Sequence, residues 1–350
     1  MMEIEIIPRT LHFKQPAGTS RGVYTIHNVW YLAISENGKT GYGECAPLSQ
    51  LSCDDVPDYE TKLQQACRET IKENKIPYEL LRDYPSILFG LESAMQYLKT
   101  NSPRLWDTPF SRGEAGIPIN GLIWMGSKET MLQQIEKKMS VGFRCIKLKI
   151  GAINFEDELS LLSYIRKHYS SKDIELRVDA NGAFSPQEAL RNLEKLAALD
   201  IHSIEQPIRA GQWKEMAELC SSTPLPIALD EELIGLNTDE KKRQMLNEIH
   251  PQYIILKPTL HGAICGVKTW IKEAESLNIG WWITSALESN VGLNAIAQFC
   301  ATLHPSIPQG LGTGMLFTDN VDFPLEIRKD CLWYDIEKEK KWKLALTNKY

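Results

Sequence analysis

No stretch of the chain approaches the ~20 consecutive apolar residues that a membrane-crossing helix needs, so a membrane-embedded protein is not expected. Long basic runs are missing as well. The net charge is −6, from 39 basic and 45 acidic residues, and without a basic stripe there is no electrostatic footprint for nucleic acid. The most basic stretch, Lys338 to Lys343, is interleaved with Glu337 and Glu339 and reads as solvated surface. The eight cysteines are scattered with no C-x-x-C pair, which argues against a zinc ribbon or a disulfide framework and predicts reduced thiols. The seven histidines are equally dispersed, with no H-x-x-x-H pair to hold a transition metal. The start, Met1-Met2-Glu3-Ile4-Glu5, has neither the basic opening nor the apolar run of a secretory signal, so a cytoplasmic protein is expected.

What is present is rhythm. The 350 residues exceed what one hydrophobic core usually supports, which predicts a large domain with a smaller one. From about residue 116, short apolar runs alternate with longer helix-like stretches. The runs are 117–123, 145–150, 174–179, 201–205, 226–230, 253–257, 280–284 and a glycine-rich run at 310–314. Between them lie segments such as 185–199, which opens Ser185-Pro186, a capping residue followed by proline at the first helical position. Eight such units predict an α/β fold of the (β/α)8 barrel type. A doubly wound open sheet is the alternative, but it usually carries a G-x-G-x-x-G loop after its first strand, and residues 116–126 contain none. Residues 1–105 read differently. Strands at 24–35 and 41–44 are joined by Asn37-Gly38, a hairpin signal, and helices are expected at 58–74 and 86–99. The expected organisation is an α+β capping domain over 1–105, a barrel over 106–318, and a C-terminal segment, 319–350, returning to the cap with strand character at 323–336.

The charges fall at the strand ends, where a barrel carries its chemistry. In order these are Lys147 and Lys149, Asp179, Glu205, Asp230 and Lys257. The steps from Lys149 onward are 30, 26, 25 and 27 residues, one βα unit each, so all should sit at one level of one rim. Any single one could be a helix cap or a surface ion pair; five in phase are hard to explain that way. Three converging carboxylates cannot all stay ionised in a partly buried site without compensation. A divalent cation supplies it, and an all-oxygen set without His or Cys points to a hard ion, Mg²⁺ before Ca²⁺ or Mn²⁺. Such an ion stabilises charge on a substrate carboxylate when a neighbouring C–H is deprotonated, and a lysine beside positive charge can be the base. The expected partner is a small-molecule carboxylate.

These segments resemble a known family. The K-x-K strand (Lys147, Lys149), V-D-A-N-G (178–182), I-E-Q-P (204–207), L-D-E (229–231) and L-K-P (256–258) are similar to the enolase superfamily in its muconate-lactonizing subgroup, and G-Y-G-E-C-A-P-L (41–48) is similar to that subgroup's capping domain. The resemblance implies a modified TIM barrel with an α+β cap and chemistry through an ene-diolate. It implies Asp179, Glu205 and Asp230 as Mg²⁺ ligands, Lys149 as the acid/base on one face of the substrate, and Lys257 on the other, with Lys147 beside them. Within the subgroup, S-A-L-E-S-N-V-G-L (285–293) and G-L-G-T-G (310–314) resemble the o-succinylbenzoate synthase family, which implies a carbon–oxygen hydro-lyase of menaquinone biosynthesis. Substrate-contacting residues are then expected at Arg177, Ser285 and Gly312, and at Thr19 and Ser20 in the cap's specificity loop. N-acylamino-acid racemases and dipeptide epimerases use the same five residues, and muconate cycloisomerases share the subgroup. The Asp-x-Asp motif typical of the dipeptide epimerases is absent from 308–317. A non-catalytic metal-binding barrel is the reading of another class, disfavoured because both lysines are present.

Overall fold

The computed structural model describes residues 1–19, 22–124, 126–151, 153–341 and 346. The capping domain opens with an antiparallel sheet in the order β1 (Glu3–Thr19), β2 (Gly22–Glu36), β3 (Lys39–Cys45). The turn at Asn37-Gly38 has φ of 51° and 75°, the left-handed pair that an Asn-Gly hairpin takes. β1 was not anticipated. Its Glu3-Ile4-Glu5-Ile6 alternation is strand-like but interrupted by Pro8, which is tolerated because β1 is an edge strand. Helices α1 (Tyr59–Glu73) and α2 (Pro85–Thr100) follow. β3 lies unusually close to α2: a Cβ on Gly43 would stand 2.0 Å from the carbonyl oxygen of Gly90, so the glycine of the G-Y-G-E segment is required by backbone contact.

The second half alternates without interruption. After β4 (Ile117–Pro118) come β5 (Gly121–Ile123), α3 (Lys128–Val141), β6 (Cys145–Lys149), α4 (Phe155–His168), β7 (Glu175–Asp179), α5 (Pro186–Ala197), β8 (Ser203–Glu205), α6 (Trp213–Ser222), β9 (Ile227–Leu229), α7 (Asp239–Ile249), β10 (Tyr253–Leu256), α8 (Ala263–Ser276), β11 (Gly280–Ile283) and α9 (Asn290–Thr302). Strands β5 to β11 form one parallel sheet in sequence order. Their outward residues, among them Ile146, Leu148, Val178 and Ile204, are fully buried against the helices. The sheet closes through two parallel bridges, Ile119 with Gln309 and Thr284 with Gly310. The eighth position is therefore a two-residue bridge, not a strand over 310–314, since glycines without side chains hold the pleat poorly.

The single run expected at 117–123 is split. β4 pairs antiparallel with the tail, and only β5 joins the barrel; Pro118 has no N–H for a ladder. The tail forms a hairpin of β12 (Leu325–Arg328) and β13 (Cys331–Tyr334), then α10 (Ile336–Glu339). The hairpin pairs with β4, while Phe317, Val321 and Phe323 pack against Leu11, Val29 and Tyr31 of the capping sheet. All eight cysteines are free, and among the described residues no helix is long and apolar enough to cross a membrane.

Candidate active site

Alternation along each strand decides which side chains face the barrel interior. On β6 these are Cys145, Lys147 and Lys149; on β7, Glu175, Arg177 and Asp179. Register aligns Lys149 with Asp179 and Asp179 with Glu205, so the charged strand ends share one level. Asp230 follows β9 and Lys257 follows β10 directly. The lysines Lys147, Lys149 and Lys257 and the acids Asp179, Asp230 and Glu231 line one pocket at this end. Its apolar wall is Leu48 and Leu51 from the cap and Leu122, Trp124, Leu260 and Leu287 from the barrel.

The charges interlock. Lys149 Nζ donates to Asp179 Oδ2 at 3.0 Å and to Asn181 Oδ1 at 2.8 Å. Lys147 Nζ lies 3.0 Å from Asp179 Oδ2 and donates to Glu205, and Lys257 Nζ donates to Asp230. Burial opposes ionisation of Asp179, yet Lys147, Lys149 and Lys257 outweigh it and hold its carboxyl below the ordinary range. Burial likewise opposes ionisation of Asp230, and Lys257 and His261 outweigh it. At Glu205 burial wins, reinforced by the charges of Asp179 and Asp230, and the carboxyl is pushed well up. Burial and Asp230 raise Glu231 to about 7. The lysines respond in kind: burial alone would depress Lys147 and Lys257, but their carboxylate neighbours raise both.

Among the described residues no three His, Cys, Asp or Glu side chains are already drawn in around one point as metal ligands; lysine ammonium groups occupy the space between the acids. The donor set nevertheless fits a hard divalent ion. Three carboxylates stand on adjacent strands, and Glu205 Oε1 and Asp230 Oδ1 are buried without a hydrogen-bond partner. A buried carboxylate oxygen left unpaired is costly, and a cation between the three would satisfy both.

Other expected site residues fall differently. Arg177 requires correction: it faces the barrel interior but not the pocket. Its Nε donates to Glu175 at 2.6 Å, its Nη1 to the carbonyl oxygen of Pro308 at 2.9 Å, and the guanidinium stacks 4.3 Å from the ring of Trp282. It plugs the end of the barrel at which the strands begin. Ser285 lines the pocket, but its hydroxyl proton goes to Glu288 at 2.5 Å while Thr313 and the Leu287 N–H donate to its oxygen, so it has no free proton for a substrate carboxylate. Gly312 lines the pocket. Thr19 ends β1, with its side chain outside the described residues, and Ser20 lies outside them altogether. Sequence reasoning missed Asn181 and Glu231. Asn181 stands two residues beyond Asp179, and its amide donates to Glu231 at 2.9 Å, tying Lys149 into a chain Lys149–Asn181–Glu231. It missed Leu122 and Trp124 too, although period two from Asn120 aims both inward.

Known proteins share the sequence and fold of this chain. Residues 130–333 match the family described as enolase C-terminal domain-like, and residues 23–98 match the MenC N-terminal domain. The o-succinylbenzoate synthase of Desulfotalea psychrophila is 44% identical, over 93% of this chain and 97% of the relative. The L-Ala-D/L-Glu epimerase of Bacillus subtilis is 25% identical, over 85% and 82%. Among solved structures, MenC from Desulfotalea psychrophila superposes with a TM-score of 0.80 at 40% identity, covering 95% of this chain and 99% of the other. A dipeptide epimerase of Enterococcus faecalis, solved with Mg and the dipeptide L-Leu-L-Tyr, reaches a TM-score of 0.82 at 18% identity, covering 95% and 96%, and shares the fold. The chain belongs to the enolase superfamily, whose members are metal-dependent enzymes. Identity of 44% across nearly all of both chains places it, within that superfamily, in the o-succinylbenzoate synthase family.

Proposed function

We propose that the chain carries out its family's reaction in the cytoplasm: a Mg²⁺-dependent syn-dehydration of 2-succinyl-6-hydroxy-2,4-cyclohexadiene-1-carboxylate to o-succinylbenzoate, a step of menaquinone biosynthesis. The observation that carries this reading is the pair Lys149 and Lys257, which reach one pocket from β6 and β10 with the buried carboxylates of the intervening strands between them. Asp179, Glu205 and Asp230 would hold the Mg²⁺, whose charge, when bound, stabilises negative charge building on the substrate's ring carboxylate.

The protein's own groups do the rest. Lys149 Nζ takes the proton from the carbon alpha to the carboxylate. The ammonium so formed returns that proton to the hydroxyl leaving from the same face as its C–O bond breaks, giving the aromatic ring and water. Asn181 accepts a hydrogen bond from Lys149 and is itself anchored on Glu231, which aims the amine at one face. Lys257 remains a cation on the opposite face, where it stabilises charge in the ring. Lys147, paired with Glu205 and Asp179, balances charge beneath the reacting atoms. Leu48, Leu51, Leu122 and Trp124 pack on the ring and exclude water. The test is turnover with Mg²⁺ by wild type and Lys149→Ala. Wild type should form o-succinylbenzoate, the variant should lose about a thousandfold in kcat, and chelator should abolish the activity. A folded wild type that makes no o-succinylbenzoate ends this reading, and α-proton exchange of N-acylamino acids and dipeptides in D₂O becomes the next assay.

A further inference from the structure

The pocket wall at 285–287 belongs to the barrel, yet two buried side chains of the capping domain hold it. The first is His27 on β2, whose Nδ1 lies 3.0 Å from the carbonyl oxygen of Leu287 and whose Nε2 lies 3.3 Å from that of Pro47. Leu287 itself lines the pocket, and so does Leu48, the residue after Pro47. One imidazole thus spans two walls, one from each domain. A neutral imidazole carries a single N–H, and the shorter separation assigns it to Leu287. Leu287 has φ of 68°, a left-handed conformation that a leucine keeps only when its surroundings enforce it.

The second is Glu44 on β3, fully buried. Its Oε1 accepts from the Ser289 N–H at 2.8 Å; its Oε2 accepts from the Ser289 hydroxyl at 2.5 Å and the Gly292 N–H at 2.7 Å. These donors are the N-cap and first turn of α9, where helix N–H groups lack partners and the dipole favours an anion. On the barrel side Glu288 accepts from Ser285, Ala286 and Thr259 and keeps the same loop in shape. The loop is therefore suspended between a carboxylate of the barrel and one of the cap, with the imidazole of β2 bonded to its middle at Leu287 and lying in contact with the 47–51 segment at Pro47.

We infer that His27 and Glu44 are positioning residues for the substrate: they fix the 285–287 wall against the 47–51 wall and so set the fit of the ring and its succinyl arm, without touching the reacting atoms. The inference rests on the function proposed above. Tyr24, three residues before His27, also lines the pocket and donates from its hydroxyl to the carbonyl oxygen of Ser49 at 2.6 Å, so β2 reaches the 47–51 segment at two points. A role in fit rather than chemistry predicts loss of affinity with the proton transfer intact.

The experiment compares wild type with His27→Phe, which keeps an aromatic ring against Phe317 but cannot bond, with His27→Gln, whose amide restores one donor, and with Glu44→Gln, an isostere that turns an amide toward helix N–H groups. Each is read for kcat, KM and product affinity by calorimetry, with thermal unfolding as the control for folding. The expected result is a KM and a product Kd about tenfold higher in His27→Phe and Glu44→Gln, kcat within threefold of wild type, and recovery of at least half the logarithmic loss in His27→Gln. A merely structural role would lower the unfolding midpoint and leave KM alone. Wild-type turnover with KM and product Kd within twofold of wild type in the folded variants overturns the inference and leaves the functional reading standing. Absence of turnover in wild type overturns both. Should His27→Phe not fold, Glu44→Gln carries the loss comparison, with the same KM and product Kd limits.

Discussion

Gly312 shows how a single residue can be separated into structural and functional demands. A Cβ at Gly310 would stand 2.4 Å from the Thr284 hydroxyl, so packing at the closing bridge requires that glycine. At Gly312 the nearest atoms to a Cβ, Asn120 O and Ile119 Cδ1, are both 3.5 Å away, an ordinary contact. The protein has room for alanine there, and what an added methyl would occupy is the pocket. Gly312→Ala is therefore expected to unfold within about 0.5 kcal/mol of wild type while raising KM severalfold for the hydroxycyclohexadiene carboxylate. Urea unfolding beside steady-state kinetics checks this; a large stability loss with unchanged KM would place the demand in the fold instead. Arg177 teaches the converse lesson. Alternation along β7 turns it inward, but a strand pattern fixes which face a side chain takes, not which way along the barrel axis a long side chain bends. Its bonds to Glu175 and Pro308 and its stacking on Trp282 bend it away from the strand ends that carry Lys149, Asp179 and Glu205.

Elements were legible where chemistry and phase coincide. The eight alternating units predicted the barrel, and the five charged strand ends fell in phase because each βα unit returns the chain to the same rim; register in the sheet aligns Lys149, Asp179 and Glu205 as their spacing implies. The eighth position and β4 were not, because two residues pairing at a closure carry no periodicity and Pro118 breaks the run. The clasp between cap and barrel was equally hidden, since Glu44 and Ser289 lie 245 residues apart and neither segment names its partner. Within the cap, a comparable link joins the loop before α1 to the start of α2: Asp54 Oδ2 accepts from the Ser86 N–H at 2.9 Å and its hydroxyl at 2.6 Å, while Oδ1 is buried without a partner. Burial raises this carboxyl from 3.8 to about 6 despite the Ser86 bonds. The folded state then binds the proton more tightly than the unfolded chain. The group's contribution is full below the unfolded value near 4 and is lost as pH rises through about 6. The loss is on the order of 3 kcal/mol at neutral pH. Asp54→Asn keeps an acceptor for Ser86 and places an amide at the unpaired position. It should flatten the fall in unfolding free energy between pH 4.5 and pH 7.5 that urea titrations of wild type are expected to show; an equal slope in the variant would assign that fall to other groups.

At the scale of the whole molecule, the rim is a concentration of buried charge that the fold balances internally. Lys147 and Lys257 are held by Asp179, Glu205 and Asp230, and Glu205 Oε1 and Asp230 Oδ1 remain unpaired. Ammonium groups are directional donors and cannot satisfy three converging carboxylates at once, whereas a divalent ion at their centre can, leaving the lysines to turn toward the pocket. Binding confined to the folded state must then raise stability by RT ln(1 + [Mg²⁺]/Kd), about 2.7 kcal/mol at a hundred times Kd. The expected outcome is an unfolding midpoint that climbs with Mg²⁺ concentration in wild type, returns with chelator, and does not respond in Glu205→Gln, with Na⁺ at matched ionic strength as the screening control. This readout needs no substrate and no turnover. A midpoint in wild type indifferent to millimolar Mg²⁺ would mean that the lysines, not a metal ion, are the resting partners of the three acids, and the charge stabilisation assigned to the ion would have to come from Lys147 and Lys257.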